Sequence, residues 1–191
     1  MPELKIRRRH RLRQKEVEDI AAALNVSLGT QTFKSDDALQ VAEIYGLEQK
    51  VYILGTEIVA MEIDGSPFLS ITGILRYGAT KAYVTVDMGA VKYVANGADV
   101  MGPGITDGDR SIVTGQTVWI REEKFLKPLA IGRCLVEGSM LGKKSSCEAY
   151  EQHCFLLPPC ESVREQQESK VEQYAEECIA DCLKRCTEGA R

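Results

Sequence analysis

The sequence lacks most of what a membrane protein or a simple hydrolase would need. Hydrophobic residues make up 44% of its 191 positions, yet no run approaches the ~18 consecutive apolar residues of a membrane-spanning helix. No apolar stretch of roughly 7–15 residues follows the basic N-terminus, so a secretory signal is not expected and the default reading is cytoplasmic. Histidine is scarce: His10 lies inside a basic run and His153 in a cysteine-rich stretch. There is no G-x-S-x-G, no P-loop and no G-x-G-x-x-G after a strand. A catalytic set is therefore not expected. Asp87, in D-M-G, reads better as a helix N-cap than as a catalytic acid. Cys134 stands alone, and the other six cysteines, Cys147, Cys154, Cys160, Cys178, Cys182 and Cys186, crowd the C-terminal end. C-x-x-C pairs are absent, so zinc ligation by these thiols and His153 is a weak signal. A reducing compartment argues against a disulfide framework. No cofactor and no metal site is expected, and a metal- or redox-responsive tail is kept only as an alternative.

What is present is uneven charge. The net charge is −4, but residues 1–15 carry Lys5, Arg7, Arg8, Arg9, Arg11, Arg13 and Lys15 against Glu3 alone. Residues 143–191 hold ten acids against seven bases. A basic arm on an acidic protein points to an acidic partner, most commonly nucleic acid.

The chain divides into three regions of different character, at 1–72, 73–144 and 145–191. In the first, Leu12, Val17, Ile20, Ala21 and Leu24 repeat at helical spacing over Arg11–Leu24, with Asn25, Ser27 and Gly29 as breakers. Asp37–Ile44 reads as a second helix with Ser35 or Asp36 as N-cap. Residues 50–63 are β-rich, and Asp64-Gly65 is a hairpin turn signal. The class is α+β. In the second region Ala82–Val86 alternates as a strand, Ala90–Asn96 makes a short helix, and Gly97 fits the C′ position. Asp99–Met101 reads as a short strand, Thr106–Arg110 as a turn, and Thr117–Arg121 and Pro128–Val136 as strands, with a bulge at Gly132. Short strands at close spacing suggest a small β-barrel. In the third region residues 162–185 are mostly helix formers, and Cys178, Cys182 and Cys186 share one helix face.

The run Tyr83–Ile105, YVTVDMGAVKYVANGADVMGPGI, resembles the opening of a PUA domain. Asp87, Gly89, Ala90, Gly97, Ala98, Val100, Pro103, Gly104 and Ile105 all fit that pattern. The segment KIRRRHRLRQKEVEDI is similar to the start of archaeal stand-alone PUA proteins, in which a small pre-PUA domain precedes the barrel. These are related to eukaryotic translation re-initiation factors. The resemblance covers roughly residues 4–143. It implies a pre-PUA α/β domain, then a PUA-type pseudo-β-barrel, then a divergent helical or disordered tail. After Gly142-Lys143-Lys144 the sequence departs from the family pattern.

The resemblance also implies RNA binding, with tRNA or rRNA as partner and a role near the small ribosomal subunit or a translation factor in initiation. An accessory role to a tRNA- or rRNA-modifying enzyme is the alternative. The expected RNA-binding residues are Arg7, Arg8, Arg9, Arg11 and Arg13 in the arm, then Gly89, Ala90, Lys92, Tyr93, Gly97 and Ala98 along the turn and helix. Arg121, Arg133, Lys143 and Lys144 complete the set. Gly89 and Ala90 should offer free N–H groups at a helix start. Lys92 suits a phosphate. Tyr93 suits either a base or the core. Gly97 and Ala98 permit close backbone approach.

Overall fold

The computed structural model describes residues 6–44 and 49–141. Lys143, Lys144 and the cysteine-rich tail, with its expected helix, lie outside the described residues.

The basic run is a strand, not a free arm. β1 (Ile6–Arg11) is the edge of an antiparallel five-stranded sheet in the order β1-β2-β3-β4-β5. The other strands are β2 (Leu39–Ile44), β3 (Lys50–Leu54), β4 (Glu57–Ile63) and β5 (Ser66–Leu69). All six residues of β1 are exposed. Its place is held by the ladder to β2 rather than by apolar burial, so hydrophobic patterning gives no sign of it. The expected helix over Asp37–Ile44 is instead β2. Leu39, Val41, Ala42 and Ile44 are buried, and the strand is paired on both sides. Two ladders outweigh the helix preference of Leu, Ala and Glu. Asp37 does accept a backbone N–H, from Lys34 at 2.8 Å, but it closes a turn rather than starting a helix. The Asp64-Gly65 hairpin is as expected: both residues have positive φ, 50° and 74°, as a type I′ turn requires.

Helix α1 (Gln14–Leu28) runs past the expected breakers to a left-handed Gly29. Asn25 stays helical because its side chain has other work, accepting the Thr32 N–H at 2.8 Å and its hydroxyl at 3.0 Å. Val17, Ala21, Leu24 and Leu28 form the buried stripe. Full burial of Leu24 and Leu28 is worth about 1.5–3 kcal/mol each.

Helix α2 (Ile71–Tyr77) is not foreshadowed by sequence pattern, being only seven residues long. Its N-cap is Ser70, whose hydroxyl accepts the Gly73 N–H at 3.0 Å and donates to the Ile58 carbonyl at 2.6 Å. The helix packs on β4 and β5. At Gly73 the two backbones meet so closely that an added Cβ would sit 1.9 Å from the Val59 carbonyl oxygen.

A second, four-stranded sheet has the order β7-β6-β8-β9, built from β6 (Tyr83–Val86), β7 (Ile105–Gly108), β8 (Thr117–Glu122) and β9 (Pro128–Arg133). β6 and β8 are parallel and the other pairs antiparallel. Helix α3 (Met88–Ala95) follows β6. Val84, Val86, Val94, Ile105, Val118 and Ile120 belong to one buried core. Thr106–Gly108 extends as strand rather than turning. Only Val100 of the expected Asp99–Met101 strand forms a bridge. Gly132 pairs regularly with Val118, and the irregularity falls between Ile120 and Arg121.

The segment after α2 ties the sheets together. The N–H groups of Thr80 (2.9 Å) and Lys81 (3.0 Å) both donate to the Leu28 carbonyl, which α1 itself leaves unpaired. The Ala82 N–H donates to Asp109 at 2.7 Å, and the Trp119 indole N–H to the Lys81 carbonyl at 2.8 Å. Burial alone would raise the Asp109 carboxyl. Hydrogen bonds from the Ser111 hydroxyl and N–H and from Ala82 outweigh it, holding the group below the ordinary carboxylate range.

Two outcomes follow from this packing. Gly73→Ala should lower the urea midpoint, by about 1–3 kcal/mol of stability, because backbone rather than a flexible side chain must yield. Asp109 binds fewer protons when folded, so its contribution is present at neutral pH and lost as pH falls through its folded value. The gap in melting temperature between wild type and Asp109→Asn should therefore narrow below about pH 4.

Candidate functional site

The helix and turn after β6 hold Gly89, Ala90, Lys92, Tyr93, Gly97 and Ala98 of the expected interface. Asp87 is the N-cap of α3, as its place in D-M-G suggested. Its carboxylate accepts the Ala90 N–H at 2.8 Å, and its own N–H donates to the Gly104 carbonyl at 2.9 Å. A Cβ at Gly104 would lie 3.4 Å from the Ala90 Cβ, in van der Waals contact with α3. A second carboxylate, Glu123 from the β8–β9 turn, accepts the Met88 N–H at 3.3 Å. The expectation of free N–H groups at Gly89 and Ala90 thus needs correction at Ala90. The Ala90 N–H is taken, and two carboxylates already answer the positive end of the helix, which leaves little for a phosphate.

At the other end of α3 the Ala98 N–H donates to the Tyr93 carbonyl at 3.0 Å and the Gly97 N–H to the Val94 carbonyl at 3.1 Å. This is a Schellman motif with Gly97 at C′, φ 86°. Gly97 and Ala98 are exposed, but their N–H groups are spent on the cap. Between the two ends Lys92 and Tyr93 project into solvent. Tyr93 is 66% exposed, which removes it from the core and leaves its ring open for stacking.

Arg121 and Arg133 are engaged within the fold. Arg121 stands beside Thr85 in the parallel ladder and donates to its hydroxyl at 2.9 Å. Its guanidinium lies 3.7 Å from the centre of the Tyr83 ring and 4.0 Å from Asp107, with its side chain only 15% exposed. Arg133 is ion-paired with Asp64 and so joins β9 to the β4–β5 turn.

The five expected arginines of the first region are spread over a strand and a helix start. Arg7 occupies an irregularity in the β1–β2 register. Arg9 and Arg11 point to one face of β1, Arg8 and His10 to the other. Arg13 precedes α1, its N–H donating to Glu16 at 2.8 Å. Arg9 is partly tied down, donating to Gln40 at 2.5 Å and to the Gly55 carbonyl.

Two residues that shape this surface escaped the sequence reading. Glu122 is buried, and its carboxylate accepts N–H groups from Lys124, Phe125 and Lys127 at 2.6–2.9 Å, which folds the β8–β9 turn. Glu123 is then delivered to α3. The only trace in sequence is a pair of acids directly after the TVWIR strand. Among the described residues no group of three or more His, Cys, Asp or Glu is placed to hold a metal, and no helix is long and apolar enough to cross a membrane.

Comparison with known proteins agrees with this geometry. The PUA domain family matches residues 82–149. An uncharacterized protein of Methanocaldococcus jannaschii is 30% identical over 137 residues, covering 71% of this chain and 83% of that protein. The chain belongs to the PUA-domain proteins, whose common property is RNA binding. Among solved structures, a hypothetical protein of Pyrococcus horikoshii is similar at a TM-score of 0.63 and 27% identity, covering 76% of this chain and 94% of that one. A conserved PUA-domain protein of Thermoplasma acidophilum gives a TM-score of 0.68 at 23% identity, covering 82% and 98%. A PUA domain of Aeropyrum pernix, solved with tartrate, gives 0.64 at 21%, covering 78% and 90%. Overlaps of that extent are longer than the segment 82–149 that the family matches, so the shared fold extends beyond the PUA domain.

Removing the cap should separate fold from charge. Asp87→Ala should cost about 1 kcal/mol of stability in a urea melt, while Asp87→Asn, which can still accept the Ala90 N–H, should cost less.

Proposed function

We propose that this chain is a non-catalytic, cytoplasmic protein that binds structured RNA, tRNA or rRNA, in translation initiation. Its further partner on this reading is the small ribosomal subunit or a protein translation factor. The observation that carries it is β1: a fully exposed edge strand of arginines on a protein of net charge −4, placed on the same chain as a PUA domain. Selection of such a concentration of positive charge on an acidic protein fits a polyanionic ligand. Side chains two apart on a strand are about 7 Å apart, so Arg9 and Arg11 give a spaced row rather than a single point of charge. Lys92 and Tyr93 add one cation and one exposed ring on the PUA side.

The division of labour is electrostatic. The arginines attract any RNA, and the PUA helix surface distinguishes among them. We further propose Gly89, Ala90, Gly97 and Ala98 as the small-residue borders of that surface, contacting RNA through their lack of bulk rather than by phosphate capture. Arg121 and Arg133 contribute by holding the adjoining strands in place, and Lys143 and Lys144, outside the described residues, are proposed as further RNA contacts on their charge alone.

The test is filter binding of tRNA and of small ribosomal subunits across a salt series. Affinity should fall steeply with salt. The double variant Arg7→Ala, Arg11→Ala should weaken every RNA and flatten the slope by about 1.4–1.8, since each lost phosphate contact removes roughly 0.7–0.9. Lys92→Ala and Tyr93→Ala should reduce preferred RNA more than random RNA. Absence of binding at low salt would defeat the reading.

A further inference from the structure

A cleft of about 370 Å³ opens between the sheet and α1, on the face of β1 that carries Arg8 and His10. The register builds it in rows. Arg8 pairs with Glu43 and Glu43 with Lys50, so these three line one level. His10 pairs with Val41 and Val41 with Tyr52, so these line the next. Cross-strand neighbours share a face, which puts both rows in the cleft. Leu12 and Ile20 close the apolar end, and Asp19 stands on the wall formed by α1 beside Glu16, which already accepts the Arg13 N–H.

The chemistry of this lining is selective. The floor is apolar and aromatic, with Val41 and the Tyr52 ring both buried. The rim alternates in sign. Lys50 is already paired with Glu62 at 3.3 Å. The side chains of Arg8, Asp19 and Glu43 have no hydrogen-bond or ion-pair partner among the described residues. A phosphate would meet three carboxylates, Glu16, Asp19 and Glu43, and is disfavoured. A simple cation would meet Arg8 and His10. A flat heteroaromatic group with donors on one edge and an acceptor on another suits all of them: its ring lies on His10, Tyr52 and Val41, its amino group donates to Glu43 or Asp19, and its ring nitrogen or carbonyl accepts from Arg8. Carboxylates accept from the exocyclic amino groups of bases, and aromatic platforms take any base face.

We propose that this cleft is a nucleobase pocket, which captures one unstacked, amino-bearing base (adenine, cytosine or guanine) of an RNA whose phosphates run along Arg9 and Arg11 on the opposite face of β1. The inference rests on the RNA-binding reading and deepens it. β1 is the feature shared by the two: an edge strand presents one side chain to each face in turn, so a backbone passing along the edge can be held on one side while a single base turns in on the other. Uracil, with no amino group, gives Glu43 and Asp19 only a ring N–H and turns carbonyl oxygens toward them.

The experiment uses the full chain and fluorescently labelled oligoribonucleotides A6, C6 and U6, which carry equal charge, at one fixed salt concentration. A6 and C6 should bind about fivefold or more tighter than U6, the low end of what one bidentate base contact discriminates. The double variant Asp19→Asn, Glu43→Gln should bring the ratio to near one, even though loss of two acids strengthens general attraction to all three. Val41→Phe, which fills the cleft without changing charge, should do the same. Ile20→Phe, on the half-buried helix side, repeats that test if circular dichroism shows Val41→Phe misfolded. Equal binding of the three oligonucleotides by the wild type, or a preference unchanged in these variants, overturns the pocket while salt-dependent binding leaves RNA recognition standing. No binding of any oligonucleotide or of tRNA at low salt overturns both.

Discussion

The approach of α2 to β4 sets the geometry on which the rest of this molecule depends. With no side chain at Gly73, the helix backbone lies against the Val59 carbonyl, and Ser70 fastens its first turn to the same strand. From that position α2 also reaches β9 of the second sheet. The chain leaving α2 is then in place to supply the Thr80 and Lys81 N–H groups to the orphan end of α1. Gly29 has to be small for this, because a Cβ there would lie 2.4 Å from the Thr80 hydroxyl. Helix end, connecting segment and second sheet thus satisfy one another's backbone groups, and the Asp64–Arg133 pair adds a charged contact between the same two sheets.

Within that frame the distribution of charge decides what each element can bind. A helix start is ordinarily a ready anion site. Here the start of α3 faces Asp87 and Glu123, and the field that would attract a phosphate is used to hold the chain's own turns. Positive charge is concentrated instead on β1, where nothing apolar competes for the surface. The carboxylates cap the start of α3, and its side chains Lys92 and Tyr93 stay exposed to solvent.

Legibility from sequence followed the kind of force at work. The Asp64-Gly65 turn, the Asp87 cap and the C′ position of Gly97 were all readable, because each is a local demand of φ or of an orphan N–H on one residue type. The PUA pattern over Tyr83–Ile105 was readable because it strings several such demands together. β2 was misread because LQVAEI satisfies helix preference locally and is a strand only by virtue of neighbours far away in sequence. β1 was misread for a related reason: six exposed residues carry no periodicity, and only their ladder to β2 makes them a strand. The N–H expected free at Ala90 is taken by Asp87, the cap already legible in D-M-G; what sequence did not show is the second carboxylate at that helix start, Glu123 on the Met88 N–H, some 35 residues away. Nothing local announces such a contact.

The misreading of β1 has the larger consequence. A flexible arm offers its charges as an average cloud, and all its arginines are then equivalent. A strand breaks that equivalence. Arg9 is drawn across the sheet to Gln40, Arg7 sits in a register irregularity, Arg8 joins Glu43 on the face toward α1, and Arg11 remains outward. Fixing the backbone removes most of the entropy that a disordered arm would lose on binding. It also converts a run of like residues into positions with different neighbours and different uses. The four arginines of β1 therefore stand in a defined geometry, and it exists only because β2, itself unexpected as a strand, provides the edge on which β1 is laid.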